Sequence, residues 1–191
     1  MSNYDHQYAE ENLFGDPYPE FVSFMASWEP KGKVLDVGCG QGRDSLFLAA
    51  QGYSVTGIDA SQVGVEQMLE LASRQALTIK GIVADFFNYD FTETYDVIVL
   101  DSILHFGKEG IEGELGLLEN LCNVLNTEGI ICLFVHKSKA KEKKLKAFFA
   151  EHFPDWQALK DTYIDYTYFE KTSGFKSDFQ YHMYISQKVE A

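Results

Sequence analysis

Along this chain, blocks of consecutive apolar residues alternate with blocks in which apolar residues return every three or four positions. The first block, Lys33 to Val37, holds the run Val34-Leu35-Asp36-Val37 and predicts a buried strand. Ser45 to Ala50 is apolar and helix-forming, with Gly52 placed to stop it. Tyr53 to Ile58 predicts a second strand. Ser61 then stands as the N-cap of a helix running to Gln75, in which Val65, Met68, Leu69 and Ala72 share one face. Thr78 to Ala84 and Tyr95 to Leu100 predict the third and fourth strands. Leu115, Leu118, Leu121, Cys122 and Leu125 form a helical stripe, and Gly129 to Val135 is a fifth strand. Strands that are apolar throughout and alternate with helices imply a parallel α/β sheet covered on both faces.

The rhythm changes near the end. Lys137 to His152 predicts a helix whose apolar side includes Leu145, Phe148 and Phe149, continued by Phe153. Two aromatic-rich strands follow, Ala158 to Phe169 and Asp178 to Gln187, with Thr172-Ser173-Gly174 between them. In the second, Phe179, Tyr181, Met183 and Ile185 alternate onto one side. A terminal antiparallel hairpin on a mostly parallel sheet is expected. With no repeat and no linker, the 191 residues form one domain, with residues 1–30 as an N-terminal extension or lid.

Composition adds boundaries. The apolar and charged fractions, 46% and 24%, are those of a globular domain. No apolar run reaches the ~20 residues of a membrane span, and the start lacks the pattern of a signal peptide. A cytoplasmic location without membrane association is therefore expected. Cys39, Cys122 and Cys132 are too few and too scattered for a disulfide framework or a zinc site, so no metal is expected. The net charge of −13 argues against a nucleic-acid partner, because its field would repel phosphate.

The chemistry concentrates after the first strand, in Asp36-Val37-Gly38-Cys39-Gly40-Gln41-Gly42. A glycine-rich strand-to-helix turn lets backbone approach a ligand closely. The dinucleotide fingerprint GxGxxG would need a third glycine where Arg43 stands. Asp36, just before the loop, suits an ammonium group and would repel a pyrophosphate. Asp59 ends the second strand, where an acid hydrogen-bonds ribose hydroxyls. Asp85 ends the third, followed by Phe86 and Phe87, an acid and an aromatic suited to adenine.

Val34 to Ala50, Gly57-Ile58-Asp59-Ala60-Ser61, Ala84-Asp85-Phe86 and Tyr95 to Ser102 together resemble the successive motifs of class I S-adenosylmethionine-dependent methyltransferases. Cys39 to Ala49 with Gln51-Gly52-Tyr53 resembles their tellurite-resistance (TehB-like) and thiopurine-methyltransferase-like branch. The resemblance implies a Rossmann-like, seven-stranded sheet of order 3-2-1-4-5-7-6 with the last strand antiparallel. It implies S-adenosyl-L-methionine as methyl donor and S-adenosyl-L-homocysteine as product. By position, Asp36, Gly38 and Gly40 would hold the methionine part, Asp59 the ribose, Ala60, Asp85 and Phe86 the adenine. Asp101 would face the amino group.

His105, in the loop after the fourth strand, is the candidate base for the acceptor's proton, and His136 a weaker one. No base is needed for an acceptor that is already an anion, such as a thiolate. Tyr4, Tyr8 and Phe14 are candidates for a lid that excludes water. The lysines from Lys137 to Lys146 read as the solvated side of a helix. The Asn-Pro-Pro-Tyr signature of amide and adenine methylation is missing after the fourth strand, and the cysteines do not cluster as an arsenite site would require. These observations favour a small-molecule acceptor and a monomer or homodimer. The alternatives are an NAD-dependent oxidoreductase and a non-catalytic S-adenosylmethionine-binding module.

Overall fold

The computed structural model describes residues 5, 8, 13–169 and 174–190. Tyr4 and the turn residues Thr172 and Ser173 lie outside them.

The strands are β1 (Lys33–Val37), β2 (Ser54–Asp59), β3 (Ile79–Val83), β4 (Tyr95–Asp101), β5 (Leu125–His136), β6 (Gln157–Phe169) and β7 (Lys176–Gln187). They form one sheet of order β3-β2-β1-β4-β5-β7-β6. β1 to β5 run parallel, while β7 is antiparallel to both β5 and β6. The expected topology and terminal hairpin are both present. β5 begins four residues earlier than the apolar run suggested, because Tyr95 pairs with Leu125 across an irregularity in the ladder.

Among the described residues five helices cover the sheet: α1 (Pro19–Ser27), α2 (Arg43–Ala50), α3 (Gln62–Arg74), α4 (Ile111–Asn123) and α5 (Lys139–His152). Residues of α1, α2 and α3 pack on one face, where Phe21, Met25, Leu48 and Met68 meet Val34, Val97, Phe134 and Ile185. Those of α4 and α5 pack on the other, where Leu118, Leu121, Leu145 and Phe149 meet Leu35, Ile98, Leu133 and Tyr184. The alternation along β7 follows from this: Tyr181, Met183 and Ile185 face the first layer and Tyr184 the second. Ser61 caps α3, its Oγ accepting from the Gly64 amide at 3.1 Å.

The N-terminal extension contributes to the core. Phe21 and Met25 of α1 are fully buried, and Phe21 packs edge-on against Phe134 of β5 with ring centres 5.1 Å apart. Part of the segment expected as a lid is thus the third helix of one face of the sheet. All three cysteines are buried free thiols.

Candidate active site

β1 and β2 end side by side, Val37 opposite Ile58, and their last acids reach the carboxyl edge of the sheet together. There the chain turns through Gly38, Cys39, Gly40 and Gln41 into α2. Gly38, Gly40 and Gly42 all have positive φ, at 77°, 50° and 85°, which side-chain-bearing residues rarely adopt. The loop is pinned from below. The Gly38 and Cys39 amides donate to the Ile58 carbonyl at 2.8 and 3.1 Å. Asp59 holds it from the side: one carboxylate oxygen accepts from the Gly40 amide at 2.9 Å, the other from the Ser61 amide at 2.7 Å. Asp59 therefore orders two turns at once, the glycine loop and the start of α3. Burial raises its pKa, and those backbone donors oppose the rise.

Asp36 lies deeper, 3% exposed, and accepts from Ser45 Oγ at 2.6 Å. Burial, with the charge of Asp44 added, pushes its carboxyl up to about 7. Arg43, the first residue of α2, explains part of this arrangement. Its guanidinium bonds Asp44 at 2.8 Å and Asp101 at the end of β4, and lies over the Tyr18 ring at 4.6 Å. Tyr18 donates a further bond to Asp101, at 3.3 Å, and Ser102 another at 3.0 Å. The Asp101 carboxylate, expected to face a ligand amino group, is thus already engaged by three side chains, although it still lines the cavity. Arg43 and Tyr18 were not singled out as site residues by the sequence.

Asp85, expected beside the adenine, is placed differently from the other acids. It is exposed, and its carboxylate accepts from the Phe87 amide at 3.0 Å and from Asn88 Nδ2 at 2.7 Å. This is the geometry of an Asx turn. It does not line the cavity, whereas Phe86, Phe87 and Ala60 do.

The loop after β4 forms one wall. Ser102 and Phe106 have positive φ, 60° and 49°. Such non-glycine conformations cost energy and persist where surroundings enforce them. Glu114 of α4 holds the second of these turns, its Oε2 accepting from the amides of His105 and Phe106 at 3.1 and 2.6 Å, while the Ser102 amide donates to the Phe134 carbonyl at 3.0 Å. His105 is exposed and lines the cavity with Ile103 and Glu114.

The far wall comes from the hairpin. β7 runs antiparallel to β5, so its first half reaches the same edge as the end of β5, with Tyr181 opposite His136. Tyr181 and Phe179 of β7 and Tyr166 and Tyr168 of β6 line the cavity there. Tyr18 stands 5.5 Å from Tyr166 and 5.7 Å from Tyr181, ring centre to ring centre. His136 packs on Tyr181 at 4.4 Å, and its Nε2 lies 3.2 Å from that phenol oxygen. Burial, with Lys141 and His105 adding to it, lowers the pKa of His136. The sequence signal for this wall was the aromatic-rich β6 and the period-two alternation along β7. It reads equally as core, because a strand's alternation shows which residues share a side but not what that side faces.

Tyr8 and Phe14 complete the enclosure. The Tyr8 carbonyl accepts from Gln67 Nε2 at 2.8 Å, and the residue is 4% exposed. A β-carbon at Gly40 would fall 2.6 Å from the Tyr8 hydroxyl, so the glycine lets this aromatic lie on the loop. The cavity has a volume of about 650 Å³. That is the size of a small-molecule site. Five carboxylates line it, those of Asp36, Asp44, Asp59, Asp101 and Glu114. Among the described residues its one lysine or arginine is Arg43, which is ion-paired with Asp44 and Asp101. Among the described residues no group of three or more His, Cys, Asp or Glu could hold a metal ion, and no helix is long and apolar enough to cross a membrane.

Comparison with known proteins agrees with this architecture. A 138-residue stretch is 29% identical to "Hemagglutinin 1" of Eikenella corrodens, covering 67% of this chain and 45% of that protein. The same figure of 29% over 138 residues holds for "Probable S-adenosyl-L-methionine-dependent methyltransferase TehB" of Haemophilus influenzae, covering 67% of this chain and 47% of that one. The chain spans about half the length of these curated relatives. The crystal structure of TehB from Haemophilus influenzae shares the fold, with a TM-score of 0.74 at 23% identity over 97% of this chain and 65% of that one. The family model for "Tellurite resistance protein TehB" matches residues 17–173, from just before α1 to just beyond β6. The match covers the glycine loop and the first six strands of the sheet, and the chain belongs to the TehB family, on the class I methyltransferase fold.

Proposed function

We propose that this chain binds S-adenosyl-L-methionine along the ends of β1, β2 and β4 and transfers its methyl group to a small-molecule acceptor. One observation carries the reading. The glycine-loop end of the cavity is anionic and has no cation to spare, since Arg43 is held between Asp44 and Asp101. A ligand with an ammonium and a sulfonium and no phosphate matches that donor set; a dinucleotide pyrophosphate does not. The buried carboxyl of Asp36 has Ser45 as its hydrogen-bond donor, and a cationic group nearby would let it ionise.

Asp36, Gly38 and Gly40 would hold the methionine part, with Asp101 shaping that corner through Arg43. Asp59 would take the ribose hydroxyls with the lone pairs left by its two backbone bonds. Ala60 and Phe86 would flank the adenine. Asp85 has no place in this assignment, being committed to its own turn. When bound, the cofactor supplies a methyl group already activated on a positive sulfur. The chain's task is then alignment and exclusion of water. Tyr8 and Phe14 would serve as the cover.

Calorimetric titration tests this. S-adenosyl-L-homocysteine should bind the full chain and NAD should not. Asp59→Ala should weaken that binding at least tenfold, since charge-assisted contacts are lost. Binding of NAD in preference, or unchanged affinity in the Asp59 variant, would overturn the reading. Cofactor binding with no methyl transfer to any acceptor would instead make the chain a binding module.

A further inference from the structure

Resting on the methyltransferase reading, we propose that Gln41 and Gln67 are positioning residues: their paired amides hold Tyr8 on the glycine loop, where its ring shields the Asp59 corner of the cofactor site from water. Three observations meet here.

The two glutamines form a donor–acceptor relay. Gln41 stands between Gly40 and Gly42, and Gln67 lies on α3. Gln41 Nε2 donates to Gln67 Oε1 at 2.8 Å, and Gln67 Nε2 donates to the Tyr8 carbonyl at 2.8 Å. Gln41 Oε1 accepts from the Leu13 amide at 2.9 Å. Each side-chain amide therefore both gives and takes a hydrogen bond, which fixes the end of each that is oxygen. Gln41 is 8% exposed, so breaking the relay would leave polar groups unmatched where water is scarce. Packing alone would not require this order of donors and acceptors.

The relay holds a ring in a glycine socket. A β-carbon at Gly40 would fall 2.6 Å from the Tyr8 hydroxyl oxygen, and one at Gly64 would fall 3.0 Å from Tyr8 Cε2. The Tyr8 ring thus rests on the loop and on the first turn of α3 together. Asp5 ties the same segment a second time, its Oδ1 accepting from Ser61 Oγ at 2.6 Å. That hydroxyl is the one that caps α3 by accepting from the Gly64 amide.

The glutamines act through Tyr8, and Tyr8 acts on the site. Among the described residues, Tyr8, Gly40 and Asp59 line the cavity and neither glutamine does. Asp59 accepts from the amides of Gly40 and Ser61, one residue under the Tyr8 hydroxyl and the other bonded to Asp5. Tyr8 is 4% exposed and Asp59 7%, so the carboxylate meets a ligand in a corner that holds little water. Charged hydrogen bonds strengthen as water is excluded. Loosening Tyr8 would wet that corner and weaken the contacts made there, with no glutamine touching the ligand.

Gln67→Glu tests this with almost no change of shape. Its carboxylate can still accept from Gln41 but cannot donate to the Tyr8 carbonyl. In the ligand-free full chain, hydrogen exchange of the Leu13 amide, whose acceptor is Gln41, should accelerate about tenfold or more relative to the amides of β1. Calorimetric titration with S-adenosyl-L-homocysteine should show binding weakened about fivefold or more. Gln67→Lys restores a donor toward the Tyr8 carbonyl, while Gln41 Nε2, 3.5 Å from the same oxygen, can turn to it. That variant should recover most of both losses. In a Tyr8→Ala background, Gln67→Glu should change the S-adenosyl-L-homocysteine Kd by less than about twofold, because the ring through which it acts is gone. Failure of the parent chain to bind S-adenosyl-L-homocysteine overturns both the methyltransferase reading and this proposal. If the parent binds, the proposal alone falls on any of four results. Gln67→Glu binds as the parent does; Leu13 exchange rises no more than that of β1; Gln67→Lys is as weak as Gln67→Glu; or the loss is as large in the Tyr8→Ala background.

Discussion

Replacing Asp36 by asparagine should make the ligand-free protein more stable at high pH and a poorer binder of cofactor. Asp36 is 3% exposed, and its carboxyl sits at about 7 instead of the ordinary 3.8, through burial first and Asp44 second. In the unfolded chain it ionises near 3.8. Between those values the folded state holds a proton that the unfolded state has released. Stability therefore falls as pH rises through this window, and the loss is complete above 7. At 1.36 kcal/mol per pH unit the whole window is worth roughly 4 kcal/mol, and the part above pH 5.5 roughly 2 kcal/mol. Asparagine does not titrate, and its amide oxygen can keep the bond from Ser45 Oγ. Urea unfolding of both proteins at pH 5.5 and 8.5 measures the effect. The advantage of Asp36→Asn over the parent should grow by about 2 kcal/mol between the two. The same variant should bind S-adenosyl-L-homocysteine at least tenfold more weakly. Parent binding at pH 6.5 should release protons, seen as an enthalpy that depends on the buffer. A stability gap that is equal at both pH values, or that narrows, would refute the claim that Asp36 is held uncharged by its surroundings.

Phe21→Ala should cost about 3–5 kcal/mol in urea unfolding, because Phe21 is fully buried against Phe134 and Phe47; a near-neutral result would return α1 to the role of an appended cover. Glu114→Ala removes the acceptor of the His105 and Phe106 amides and should cost about 1–3 kcal/mol. Amide exchange of residues 102–106 should accelerate with it, and unchanged protection would show that the loop does not depend on Glu114. Gly38→Ala places a β-carbon 2.2 Å from Ile103 Cδ1 at a φ of 77°. It should destabilise by about 1–3 kcal/mol and weaken S-adenosyl-L-homocysteine binding; full affinity would mean that Ile103 simply moves aside and the ligand never approaches there.

How much of this was legible beforehand differs from residue to residue. Asp36, Gly38, Gly40 and Asp59 are near one another in sequence or sit at the ends of adjacent strands. Parallel pairing of β1 with β2 brings them together almost automatically. Asp101 was placed correctly at the edge, but its partner was not foreseen, because Arg43 reaches it from another element. Asp85 follows its strand with the same spacing as a binding acid would. Only the local fold, in which its carboxylate closes on Phe87 and Asn88, separates a turn residue from a ligand residue.

By itself, the sequence determined the strand and helix alternation, the parallel sheet, the glycine loop and the acids flanking it. All of these depend on local periodicity and on backbone conformations that few residues tolerate. Tertiary structure alone decided the charge balance and the opposite wall of the cavity. Arg43 is neutralised by carboxylates from two separate elements, and Tyr18, His136, Tyr166 and Tyr181 converge from four. Charges and rings interact through space over a few ångströms, and it is the assembled sheet, with the antiparallel hairpin paired against β5, that brings the rings together.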